Sequence, residues 1–103
     1  MLCTLTARRL KPGQFDAFRA AFQEMNDSAP DDAVKRWKNV YITRDVQDED
    51  VVISFGLFDG TVEELRLIQS SSGGEATRTS GIAGLVDEVI LDGSYEVVEH
   101  IQN

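Results

Sequence analysis

The chain has 103 residues, 42% hydrophobic and 27% charged, a balance that suits one folded soluble domain over 1–103 and excludes a disordered chain. Its 18 acids against 10 bases give a formal charge of -8, so a phosphate backbone meets net repulsion and nucleic acid is not an expected partner. A single cysteine, Cys3, excludes an intrachain disulfide and the usual zinc spacings. The absence of any apolar run of membrane-spanning length, or of a signal-like N-terminus, points to the cytoplasm and away from membranes.

Leu2 to Ala7 alternates Leu2, Thr4 and Thr6 against Cys3, Leu5 and Ala7, the pattern of a strand near the sheet centre. Cys3 in that pattern reads as a small buried thiol. Lys11-Pro12-Gly13 turns the chain, proline fixing one φ and glycine freeing another. From Gln14 the period changes: Phe15, Phe18, Phe22 and Met25 share one helix face, and Asn26-Asp27-Ser28 with Pro30 stop the helix. An acidic loop from Pro30 to Val34 leads to a second strand, about Lys35 to Arg44, which holds the densest group of bases, Lys35, Arg36 and Lys38.

Asp45 to Asp50 reads as a hairpin loop whose residues lack the spacing of a calcium loop, so no metal is expected. Val51 to Phe58 is rich in β-branched and aromatic residues and is the clearest strand. Thr61-Val62-Glu63-Glu64 forms a capping box ahead of a helix lined by Val62, Leu65 and Ile68. Ser70-Ser71-Ser72-Gly73-Gly74 interrupts it, either as a lid beside a pocket or as a plain helix break. A further helical piece is expected from Glu75 to about Glu88, with Ile82, Leu85, Val86 and Val89 inward. Ile90-Leu91, a turn at Asp92-Gly93 and a strand from Ser94 to Ile101 complete the chain.

The order β, α, β, β, α, β is the split βαβ arrangement of an α+β ferredoxin-like fold with an antiparallel sheet. Both crossover helices then cover one face. The other face is not polar: Val51, Ile53, Phe55 and Leu57 alternate along one side of the third strand, and Trp37 and Tyr41 share a side of the second. Burying each such group is worth about 1.5–3 kcal/mol. A small domain with this face open is expected to pair with a second copy through it.

Three stretches resemble the dimeric α/β-barrel superfamily, and within it the antibiotic-biosynthesis-monooxygenase-like group. They are Leu10-Lys11-Pro12-Gly13 before a Phe-rich helix, Val51 to Phe58 after an acidic hairpin, and Gly93-Ser94-Tyr95-Glu96-Val97-Val98-Glu99. The resemblance implies a homodimer whose two sheets face each other as a barrel. It spans activities from cofactor-free quinone-forming monooxygenases to haem-degrading oxygenases, lactone isomerases and polyketide cyclases. The haem-degrading pattern is departed from: Thr4 and Thr6 stand in a first strand without Asn, and the second helical region lacks His.

Strand alternation sends Trp37, Asn39 and Tyr41 to one side. There an indole can stack on a flat ring while amide and phenol hydrogen-bond an oxyanion. His100, the sole histidine, is a candidate general base near the end of the last strand. Arg8, Arg9 and Arg44, at strand ends, are candidate partners for an anion. The expected function is a cofactor-independent monooxygenase acting on an aromatic or polyketide-like small molecule held in a modest apolar cavity between helices and sheet. A non-catalytic dimeric binding or structural protein, and a cyclase or isomerase using His100 or Tyr95, are the alternatives.

Overall fold

The computed structural model describes residues 1–70 and 81–103. Four antiparallel strands, β1 (Leu2–Leu10), β2 (Trp37–Arg44), β3 (Val51–Phe58) and β4 (Val86–Glu96), form one sheet in the order β2-β3-β1-β4. Helix α1 (Phe15–Ser28) connects β1 to β2 through a short helix, α2 (Asp31–Val34), and α3 (Val62–Ser70) follows β3. This is the ferredoxin-like α+β fold. Among the described residues, no helix is long and apolar enough to cross a membrane.

The punctuation read in the sequence holds. Gly13 adopts φ +75° in the Lys11-Pro12-Gly13 turn, and its amide donates to Asp50 Oδ1 at 3.1 Å. The capping box forms in both directions: Thr61 N–H donates to Glu64 Oε1 at 3.0 Å, and Glu64 N–H to Thr61 Oγ1 at 3.2 Å. The Arg36 guanidinium also donates to Glu64 and holds its carboxyl below the usual carboxylate range, with the Thr61 amide as the second cause. In the hairpin, Asp45 Oδ1 accepts the amides of Gln47 and Asp48 while Asp48 pairs with Arg9 at 2.9 Å. Those carboxylates serve turn geometry.

Both helices pack on the same face. Phe18 of α1 meets Leu10, Val52 and Ile82 in one buried cluster, and Leu65 of α3 meets Leu2 and Phe58 in another. Leu2, Leu10, Val52 and Phe58 all belong to one side of the sheet by their register. Its reverse carries Leu5, Ala7, Tyr41, Ile53, Phe55, Leu57, Leu91 and Tyr95, none of which any described helix covers.

Four expectations are corrected. The segment 31–34 is one helical turn rather than loop. Of the helix expected over 75–88, residues 75–80 lie outside the described residues, as do 71–74 of the Ser/Gly run; Ala83–Leu85 is a 3₁₀ turn, and β4 starts at Val86. Bulges opposite Ala7/Arg8 and Arg9/Leu10 place Val86 and Val89 on one side of a strand at a spacing of three, which imitates a helix. No turn forms at Asp92-Gly93, because those residues pair with Thr6 and Leu5 and the strand runs on. That strand stops at Glu96, so residues 97–103 carry no strand and His100 sits in an exposed tail.

Candidate active site

The side of the sheet beneath the helices is not uniformly apolar. Along β1 it presents Leu2, Thr4, Thr6, Arg8 and Leu10, and opposite them on β3 stand Phe58, Gly56, Ser54 and Val52. The ends of both rows are the two apolar clusters. Their middles are polar, which corrects the apolar cavity expected there.

Three hydrogen bonds order this polar seam. Trp37 Nε1 donates to Thr4 Oγ1 at 3.0 Å, Arg8 to Ser54 Oγ at 2.9 Å, and Thr6 Oγ1 to Asp92 Oδ1 at 3.0 Å. Ser54 is 6% exposed, a depth at which an unpaired hydroxyl would be costly. The Arg8 guanidinium lies 5.5 Å from the centre of the Phe18 ring, close enough for cation–π attraction. The seam therefore grades from buried Ser54 beneath α1 to exposed Asp92 and Ser94 at the β4 edge. It combines a cation, an indole and hydroxyls between two apolar walls, a composition that suits a flat organic molecule bearing an oxygen.

The expected trio does not share one side. Trp37 pairs with Phe58 but Asn39 pairs with Leu57, so one extra residue, Lys38, bulges from β2. The bulge turns Trp37 under the helices, where its ring meets Phe58 at 4.8 Å with a 58° tilt. Asn39 and Tyr41 remain on the uncovered face, and Tyr41 stacks on Phe55 with centroids 5.1 Å apart. Tyr95 lies on that face too, its ring folded over Gly93. Half-buried Cys3 faces the same way. His100 is exposed in the tail. Of the expected site residues, Trp37 and Arg8 reach the seam.

Gly56 permits that placement. A Cβ there would lie 2.8 Å from Trp37 Cδ1 and 3.0 Å from the Asn39 carbonyl oxygen, so the indole crosses β3 where no side chain stands. Thr4, Thr6, Arg8, Ser54 and Asp92 were not foreseen as a group. The signal for them was present: polar residues alternate with Leu2 and Leu10 on a face that the crossover helices must cover. Arg9 and Arg44, also expected near an anion, sit elsewhere. Arg9 joins Asp48. Arg44 lies 4.6 Å above the Phe15 ring and borders a surface hollow at the β2–β3 hairpin with Asp45, Val46, Gln47 and Glu49.

No family model matches the sequence, and no curated protein matches it. Solved structures do match in shape over nearly the whole chain. SnoaB, a cofactor-independent oxygenase from Streptomyces nogalater, superposes with a TM-score of 0.76 at 8% identity, covering 99% of this chain and 97% of its own. A candidate antibiotic biosynthesis monooxygenase from Bordetella bronchiseptica gives 0.76 at 10% identity, with 95% and 97% covered. Another from Chloroflexus aurantiacus gives 0.70 at 20% identity, with 96% and 95% covered. The resemblance read in the sequence thus holds at the level of architecture: the chain has the ferredoxin-like fold shared by proteins of the antibiotic-biosynthesis-monooxygenase-like group.

Proposed function

We propose that this chain is a cofactor-independent monooxygenase-like enzyme acting on an aromatic or polyketide-like small molecule, held in the seam between sheet and helices. The observation that carries the reading is the polar seam itself, with Trp37 and Arg8 as donors inside an otherwise apolar layer. The fold shared with an oxygenase supports it.

In the reaction envisaged, a base removes a proton from an activated phenol or anthrone. The resulting anion gives one electron to dioxygen, and the two radicals join as a hydroperoxide. Loss of water then leaves a carbonyl, so that CH₂ and O₂ become C=O and H₂O. No electron donor beyond the substrate is needed. Arg8 supplies positive charge and N–H groups toward the substrate oxyanion, and the indole packs on the ring. Thr4 holds the indole in place, and Asp92 is the carboxylate that reaches the seam. Asn39 and Tyr41 belong instead to the uncovered face, which two copies share in a homodimer. Tyr41 is 50% exposed and Tyr95 43% exposed in the single chain, and isologous pairing removes such area from water.

An oxygen electrode tests the activity. With anthrones or activated phenols and no added flavin, haem or metal, dioxygen uptake equal to substrate consumed is the expected result. Trp37→Phe is expected to lower kcat by roughly ten-fold or more, and Tyr41→Phe by less than two-fold. Turnover that proceeds without dioxygen would replace this reading by a cyclase or isomerase. Saturable binding without turnover would replace it by a binding protein.

A further inference from the structure

Proton abstraction needs a base, and the covered side of β4 narrows the choice. Register sets Asp92, Ser94 and Glu96 on that side, opposite Thr6, Thr4 and Leu2. Glu96 stands at the apolar end, level with Leu2 of the Phe58 and Leu65 cluster. Asp92 stands at the polar middle, where Thr6 Oγ1 donates to its Oδ1 at 3.0 Å. That bond leaves Oδ2 without a protein donor among the described residues.

Asp92 and the head of Arg8 hold opposite ends of one row across the sheet. Thr6 pairs with Ser54 of β3 on one side and with Asp92 of β4 on the other, and Arg8 donates to Ser54 Oγ at 2.9 Å. Two strand spacings, about 10 Å, lie between the backbones of Ser54 and Asp92. A flat fused-ring molecule lying over Thr6 therefore meets positive charge at its inner end, beneath α1, and a carboxylate at its exposed end. That polarity fits a carbon acid that loses its proton from one side of a ring while charge collects on an oxygen at the other side. An anthrone is such an acid. A carboxylate is a weak base toward carbon in water, and a cation across the ring offsets this by favouring the anion.

We propose that Asp92 is the general base of the reaction, a role that rests on the oxygenase reading above. Oδ2 takes a proton from the ring CH₂, and the C–H electron pair passes through the ring to the oxygen facing Arg8. The anion gives an electron to dioxygen, and the two radicals join as a peroxide anion on the same carbon. Asp92, now a carboxylic acid, returns its proton to the outer peroxide oxygen and is a carboxylate again. Loss of water from the hydroperoxide leaves the carbonyl, so no net proton enters or leaves.

A cross-strand Thr–Asp bond also stabilises a sheet edge, and an oxygen electrode separates the two roles. The substrates are ring-substituted anthrones of graded C–H acidity. Asp92→Asn keeps the acceptor for Thr6 and is expected to lower kcat about 100-fold on the least acidic anthrone, with KM changed by less than two-fold. The defect shrinks as the anthrones become more acidic. It falls below about five-fold at a pH where the substrate enters already ionised, because the base then has no proton to remove. Glu96→Gln stays within two-fold of wild type throughout. A defect of the same size for every anthrone and pH would make Asp92 structural and overturn the assignment. Full activity in Asp92→Asn would overturn it too, with the oxygenase reading intact. Wild-type protein that consumes no dioxygen with any anthrone overturns the reading and the assignment together.

Discussion

Replacing Phe58 with alanine is expected to destabilise the fold by about 3–5 kcal/mol, a large share of the roughly 5–15 kcal/mol that holds a domain together. The ring is fully buried at the end of β3 and joins Leu2, Leu65 and Ile68 to the indole of Trp37. The Arg36 guanidinium lies 5.4 Å from its centre, and that same side chain donates to the Asp59 carbonyl and to Glu64. Truncation therefore empties the smaller cluster and loosens the arginine that ties the start of β2 to α3. Its neighbours are anchored by strand pairing and cannot collapse freely into the space. Urea unfolding provides the check, with a lower midpoint at an unchanged slope. A loss below about 1 kcal/mol would show that the site relaxes, and that α3 is held mainly by other contacts.

Gly56→Ala is expected to act through Trp37. Alanine restricts the unfolded chain and, by itself, stabilises by about 0.4–1 kcal/mol where the native backbone allows it. Overpacking costs about 1–3 kcal/mol and wins here, because one of the two closest atoms is the Asn39 carbonyl oxygen at 3.0 Å, part of a paired backbone. The indole, whose Cδ1 would be 2.8 Å from the new methyl, must move and release Thr4. The expected readings are a net loss of about 1–2 kcal/mol and a changed indole N–H resonance for the one tryptophan of the chain. An unchanged resonance with unchanged stability would mean that Trp37 does not cross β3 at this point.

How legible these features were depended on whether a strand kept its period. β3 has no bulge against β1, and its two faces follow from Val51 to Phe58 by alternation alone. The capping box and the Gly13 turn were equally plain, because each is a local chemical solution to an orphan amide or an unusual φ. Where a bulge intervenes, alternation misleads. Lys38 sets Trp37 and Val40 on the same side at a spacing of three, so the indole leaves the side it would share with Asn39 and Tyr41. The bulges of β4 do the same for Val86 and Val89 and gave a strand the look of a helix. Asp92-Gly93 carries strong turn chemistry, yet pairing with Thr6 and Leu5 overrides it. A bulge is specified by the partner strand, which local sequence does not contain.

The same reasoning explains why the site was half seen. Trp37 drew notice as an aromatic with stacking capacity and Arg8 as a partner for an anion, whereas the grouping of Thr4, Thr6 and Arg8 gains meaning only once β1 is covered by two helices. Each is ordinary on an exposed strand. Beneath α1 and α3 they become the polar interior of an apolar layer, paired with Trp37, Asp92 and Ser54.

Trp37 fluorescence, followed during titration with a panel of flat phenols and anthrones, asks most directly whether the seam holds a ligand. Saturable quenching by at least one of these compounds is the predicted result, with affinity kept within about two-fold in Asn39→Ala and Tyr41→Phe. Arg8→Gln should weaken that binding about ten-fold, the scale of a lost hydrogen bond to a charged group, and Thr4→Val, which releases the neutral indole N–H, about five-fold. Quenching that survives both seam variants but disappears with Tyr41→Phe would move the ligand to the uncovered face and contradict the account. So would a panel that produces no saturable response.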